Sequence, residues 1–86
     1  MRVYEILLER AAERDLKRLP TSDFKRIISE ISKLADSPRP TSCRKITGSK
    51  NDWRIRVGDY RVIYEIDNNA RNIKVMRIRQ REDAYR

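Results

Sequence analysis

Three arginines crowd the segment WRIRVGDYRVIY, residues 53–64: Arg54 and Arg56 precede Gly58-Asp59, and Arg61 follows it. Alternation puts Arg54 and Arg56 on one side of an extended segment. If the chain reverses at Gly58-Asp59, Arg61 comes to lie opposite Arg56 on that same side. Directly opposed like charges destabilise a sheet by a few tenths of a kcal/mol to ~1 kcal/mol. An anion laid across the pair reverses the sign, because guanidinium forks hold phosphate oxygens two at a time. A second set lies in IKVMRIRQR, where Arg77, Arg79 and Arg81 recur at alternate positions and Tyr85 follows. In a regular strand these arginines project from one face. Arginines beside an aromatic ring suit single-stranded RNA, whose bases stack on rings. The alternative for the hairpin is a pair of long side chains splaying apart into water, with Glu65 diagonal to one of them.

The elements that must hold these groups follow from periodicity. Residues 2–7 alternate as a first strand. Leu8, Ala11, Ala12, Leu16 and Leu19 form a helical stripe that Pro20 ends. Thr21, Ser22 and Asp23 offer N-cap side chains to a second helix. Phe24, Ile27, Ile28, Ile31, Leu34 and Ala35 are its apolar stripe, and Pro38 and Pro40 stop it. A short strand at 43–47 and a polar loop from Gly48 to Asp52 lead into strands at 53–57 and 60–66. Asp67, Asn68 and Asn69 signal a further turn before a last strand at 72–80. A type II′ turn with Gly58 first sets Val57 against Tyr60, Ile55 against Val62 and Trp53 against Tyr64. That face is apolar and belongs on the helices; Arg54, Arg56, Arg61, Ile63 and Glu65 take the other. The expected fold is α+β, in the order β-α-α-β-β-β-β. A two-helix hairpin packs on one face of a curved, largely antiparallel sheet, and residues 1–86 make a single domain.

The charge balance supports a polyanionic partner. The chain has 21 basic and 13 acidic residues, a net charge of +8. Residues 1–38 carry 8 basic and 7 acidic groups, whereas residues 39–86 carry 13 and 6. Arg outnumbers Lys by 15 to 6, a bias that favours phosphate over generic solubility. The lone Cys43 cannot close an internal disulfide, which points to a reducing cytoplasm. With no histidine to activate it, it is no catalytic thiol. No apolar run approaches a membrane span and no signal-peptide core follows Met1, so no membrane is expected. The residue types suggest neither a metal cluster nor a cofactor.

The helix end DLKRLP, the helix end LADSP, the hairpin WRIRVGDYRVIY and the ending IRQREDAYR together resemble the RelE/ParE superfamily of bacterial toxins, and its RelE branch in particular. The likeness spans nearly the whole chain; each motif is weak alone, and their order and spacing carry it. It implies an mRNA interferase, a toxin that enters the ribosomal A site and cuts the mRNA there. It also implies a cognate, RelB-like antitoxin that covers and silences the toxin. The family's basic residues before the hairpin turn match Arg54 and Arg56, and the arginine after it matches Arg61. The late arginine matches Arg81, with Arg79 a second candidate, and the terminal tyrosine matches Tyr85. Lys45, Lys50, Arg77, Arg79 and Gln80 are candidate RNA contacts.

The implied reaction is metal-free attack of a ribose 2′-OH on its neighbouring phosphate, giving a 2′,3′-cyclic phosphate and a free 5′-OH. Arg54, Arg56 and Arg61 would hold the phosphate and its developing charge, Arg81 would assist the leaving group, and Tyr85 would stack on or orient a base. Two departures bear on turnover. Lysines precede the turn in family members where Arg54 and Arg56 stand here, and many relatives carry histidine where this chain has Gln80. Arginine stays protonated and makes a poor base. How the 2′-OH is activated is left open. Two other readings remain: a ParE-like toxin that poisons DNA gyrase, and a catalytically weak relative that acts mainly by binding its antitoxin.

Overall fold

In the computed structural model, which describes residues 3–80, strand β1 (Glu5–Leu8) leads into helices α1 (Arg10–Lys17) and α2 (Thr21–Lys33). Strands β2 (Arg44–Lys45), β3 (Asp52–Val57), β4 (Tyr60–Asp67) and β5 (Asn72–Gln80) follow. They form one sheet in the order β1-β5-β4-β3-β2, with β1 parallel to β5 and every other pair antiparallel. This is the α+β order expected from periodicity.

The helices cover one face. Ala12 and Leu16 of α1, and Ile27 and Ile31 of α2, pack with Ile55 and Val57 of β3, Val62, Tyr64 and Ile66 of β4, and Ile73, Val75 and Ile78 of β5. Each Leu, Ile and Val among them contributes roughly 1.5–3 kcal/mol by leaving water. Tyr64 is fully buried and donates its hydroxyl to the Pro38 carbonyl at 2.7 Å, tying the segment after α2 to the middle of the sheet. Burial, with the Cys43 thiol adding to it, pushes that hydroxyl well above the ordinary tyrosine range.

The β3–β4 hairpin has the expected register: Val57 faces Tyr60, Arg56 faces Arg61, Ile55 faces Val62 and Trp53 faces Tyr64. Gly58 sits at φ +60° and Asp59 does not share a positive φ, which is the type II′ pattern. The Arg26 guanidinium of α2 occupies the space a Cβ at position 58 would need.

Several boundaries differ from the periodic reading. The first strand begins at Glu5, because the Val3 and Tyr4 amides donate instead to the Ala35 carbonyl. Leu8 pairs with Val75 at the end of β1 rather than opening α1. Pro20, not a hydroxyl or carboxylate side chain, is the N-cap of α2; its ψ of 150° makes the bend without a side-chain bond. Asp23 is thereby left to accept the Tyr60 hydroxyl at 3.3 Å. Phe24 stands 39% exposed at the start of its stripe, off the core. Only Arg44 and Lys45 of the 43–47 segment ladder with β3, and Ile46 adds one bond to the Asp52 carbonyl.

Strand β5 is not regular. Tyr64 faces Val75 but Ile63 faces Arg77, so Met76 is an extra residue, a bulge. Uninterrupted alternation would have put Arg77 and Arg79 on the buried side with Ile73 and Val75. The bulge inverts the phase, so Ile78 enters the core and Arg79 takes the opposite face.

Beyond the bulge, β1 has ended and the β5 edge is met by α1. The Asp15 carboxylate accepts the Ile78 amide at 2.9 Å, Arg77 Nε at 2.8 Å and Arg77 Nη2 at 3.3 Å. Burial by itself would raise this carboxyl. The bonds from Arg77 and Ile78, with the Arg77 and Arg18 charges, outweigh it and hold the group below its ordinary value.

Candidate functional site

The face of the sheet away from the helices carries the arginines. Arg56, Arg61 and Arg79 stand side by side on one rung across β3, β4 and β5. On the rung two residues along, Arg44, Arg54, Ile63 and Arg77 occupy β2 to β5. Neighbours on a rung have Cβ atoms about 4.5–5.5 Å apart, so the guanidinium groups lie within reach of a shared anion. A concavity of about 370 Å³ opens here, lined by Ser42, Arg44, Arg54, Ile55, Arg56 and Arg61.

Burial grades the set. Arg56 is exposed, Arg54 half-buried, and Arg61 at the centre only 6% exposed. The alternation that predicted Arg61 on the open face gave no hint of this burial. Charge at such a position is less screened than at the surface. Among the described residues, nearby carboxylates are drawn elsewhere: Glu65 pairs with Lys74 at 3.9 Å and Asp15 with Arg77, not with Arg54 or Arg56. The region therefore has a strongly positive field with donors in planar forks, suited to the oxygens of a phosphodiester and to charge that accumulates on them.

Arg44 is the residue that sequence reasoning missed. Its Nη1 donates to the Cys43 carbonyl at 2.9 Å and the Thr41 carbonyl at 3.4 Å, and its register places it beside Arg54. No local signal fixes that register, because the loop between β2 and β3 has no defining turn motif.

The other sequence candidates are dispersed. Lys45 is in register with Trp53, and alternation sends it to the side opposite Arg44. Lys50 lies in the loop before β3, at the end of the hairpin away from Gly58. Arg77 is taken up by Asp15. Arg79 and Gln80 close β5, in register with Arg61 and Tyr60. Arg81 and Tyr85 fall outside the described residues.

Comparison with known proteins bears on this arrangement. The family model for the ParE toxin of type II toxin–antitoxin systems (parDE) matches residues 6–85. The RelE1 protein of Methanocaldococcus jannaschii, a putative toxin by its description, is 30% identical over 86 residues, covering 96% of each chain. Among solved structures, the RelE–RelB complex of Pyrococcus horikoshii superposes with a TM-score of 0.82 at 26% identity, covering 92% of this chain and 96% of that one. The RelB–RelE complex of Methanococcus jannaschii gives 0.75 at 30% identity, covering 92% and 94%.

Proposed function

The chain belongs to the RelE/ParE superfamily and is a toxin of a type II toxin–antitoxin system, and from that premise we propose that it cuts mRNA in the ribosomal A site. The observation that carries this reading is the arginine rung Arg56–Arg61–Arg79 with Arg44 and Arg54 beside it, on a face the helices leave open.

Arg54, Arg56 and Arg61 hold the scissile phosphate and neutralise the charge that grows on its oxygens as the 2′-OH attacks. Arg61, only 6% exposed, loses little conformational freedom in doing so, which favours it as the fixed point of the site. Arg79 closes the rung on β5, and the chain runs on from Gln80 to Arg81 and Tyr85, the groups that the resemblance assigns to assisting the leaving oxygen and to base stacking. The products are a 2′,3′-cyclic phosphate and a free 5′-OH. A cognate, RelB-like antitoxin is the second partner, in keeping with the RelE–RelB complexes that the fold matches.

The test is primer extension on cellular mRNA after induction of the free toxin. New 5′ ends within translated frames are expected with the natural protein and absent with Arg61→Ala. Equal cutting by that variant removes the site. The match to the ParE family model keeps one other reading in view, poisoning of DNA gyrase. A gyrase-cleavage assay run alongside distinguishes them: trapped DNA breaks with intact mRNA would replace the RNA reading by the gyrase one.

A further inference from the structure

The wall of the arginine concavity carries a hydroxyl. Ser42 lines it together with Arg44, Arg54, Arg56 and Arg61. The Cys43 amide donates to the Pro40 carbonyl at 2.9 Å, which closes a four-residue turn with Thr41 and Ser42 in the middle. Both are exposed, and an exposed turn tip of small polar residues is accessible to enzymes that act on side chains or backbone.

The ladder fixes where that hydroxyl stands. Arg44 is in register with Arg54, so Ser42, two positions earlier, falls toward Arg56 at the outer end of the rung Arg56–Arg61–Arg79. Thr41 does not line this concavity. It belongs to a neighbouring one against α2, which Ser42 borders from its other side. Arg44 Nη1 is bonded to the Cys43 and Thr41 carbonyls at 2.9 and 3.4 Å, which ties its guanidinium to the same turn. An anion on Ser42 would therefore meet a fork that has already given up much of its freedom.

A phosphoryl group on Ser42 brings about −1.5 to −2 charges at pH 7 and three strong acceptor oxygens into this setting. An RNA phosphodiester brings one charge. The tethered group is also present at an effective concentration on the order of millimolar, so it competes well for the same guanidinium groups. Forming it needs a serine kinase and a nucleoside triphosphate. Ser42 Oγ attacks the γ-phosphorus, the bond to the β-phosphate oxygen breaks, the hydroxyl proton passes to the kinase's base, and nucleoside diphosphate leaves. Arg39, exposed and three residues before Ser42, gives a kinase with an acidic subsite a charge to recognise.

We propose that Ser42 is a phosphorylation site whose phosphoryl group settles among Arg44, Arg54 and Arg56 and closes the concavity to RNA. The closure rests on the RNA-cutting function proposed above; the capture of the phosphoryl group does not.

Recoded translation that builds phosphoserine in at position 42 gives a uniformly modified chain, and its phosphorus resonance reads the capture directly. A solvated phosphoserine has its second ionisation near ~6. Among the arginines it should fall by about one pH unit, and Arg54→Ala or Arg44→Ala should bring it back. A resonance that titrates at the solvated value with all the arginines in place overturns the capture. Anisotropy with a 2′-O-methylated hexaribonucleotide, which cannot be cut, should show binding about ten-fold weaker after phosphorylation, the loss of one charge-assisted contact. Unchanged RNA binding overturns the closure. Soluble extract of cells that naturally carry the chain, supplied with radiolabelled ATP, should label the natural chain and not Ser42→Ala. Equal labelling of the two, or labelling of neither, overturns the modification. Cleavage of mRNA on translating ribosomes separates the two claims. Capture without any cutting by the unmodified chain keeps the site and removes the nuclease; cutting that phosphorylation leaves untouched does the reverse.

Discussion

Replacing Asp15 by alanine removes the acceptor of three hydrogen bonds at the place where β1 ends and α1 takes over the β5 edge. The Asp15 side chain is 11% exposed and that of Arg77 is 43% exposed. The Arg77 ion pair is therefore solvent-screened and contributes no more than ~1 kcal/mol. The Ile78 amide, bonded to a carboxylate and left unpaired by the substitution, costs a further ~1–3 kcal/mol. Together these predict a loss of about 2–3 kcal/mol, against ~4–13 kcal/mol for a chain of this length. At about 4–8 °C per kcal/mol, Tm should fall by about 10–20 °C. Asp15→Asn keeps a carbonyl for the amide and loses only the charge, so about 1 kcal/mol is expected. The folded-state pKa of Asp15 lies below the unfolded value, whose reference is 3.8. Its contribution is accordingly present in full above that reference and disappears as pH falls through the lower, folded value. Urea unfolding of the natural chain and the Asp15→Asn variant at a series of pH values should show two curves that separate near neutrality and converge in acid. Curves that run parallel from neutrality into acid, or an alanine variant as stable as the natural chain, refute this account of the edge.

Arg61→Ala should lower the rate of mRNA cutting by ~10²–10³-fold, the usual effect of removing one preorganised donor from developing charge, and single-turnover kinetics on programmed ribosomes measures it. Arg56→Ala relieves the cross-strand repulsion with Arg61 and should leave the melting temperature unchanged or raise it slightly; a marked fall would make Arg56 a structural residue. Gly58→Ala forces a side chain into the φ +60° position of the hairpin and should destabilise the fold by ~1–3 kcal/mol, most of it backbone strain since the crowding Arg26 group is the mobile end of a side chain. Calorimetry of the purified variant against the natural chain decides that point.

The hairpin was legible in the sequence because its two signals agree. Gly58 demands a tight turn, and the apolar residues on either side match only in the register that turn sets. The α2 stripe was legible for the same reason of period, with Ile27, Ile31, Leu34 and Ala35 all buried, although Phe24 at its exposed start shows that period alone does not say where burial begins. What could not be read depends on contacts far apart in the chain. Arg44 meets Arg54 only through a register that the intervening loop leaves undefined. Arg77 is captured by Asp15, separated by 62 positions, so its alternation with Arg79 said nothing about its use. The burial of Arg61 was not legible either, because alternation within residues 53–64 gives a side chain's face and not its exposure.

Met76 has a consequence that outlasts its own side chain. Two buried aliphatics precede it at odd positions and one follows at an even position, so it acts as a half-period insertion in an otherwise periodic signal. What matters is that it is left out of the ladder: were it to take a rung of its own, the downstream cations would turn toward oil, while the isoleucine beyond them would turn toward water. When relatives are lined up by hydrophobic pattern, a single gap at this point is thus part of what keeps the basic side basic, and a pairing drawn straight through it would match walls with windows.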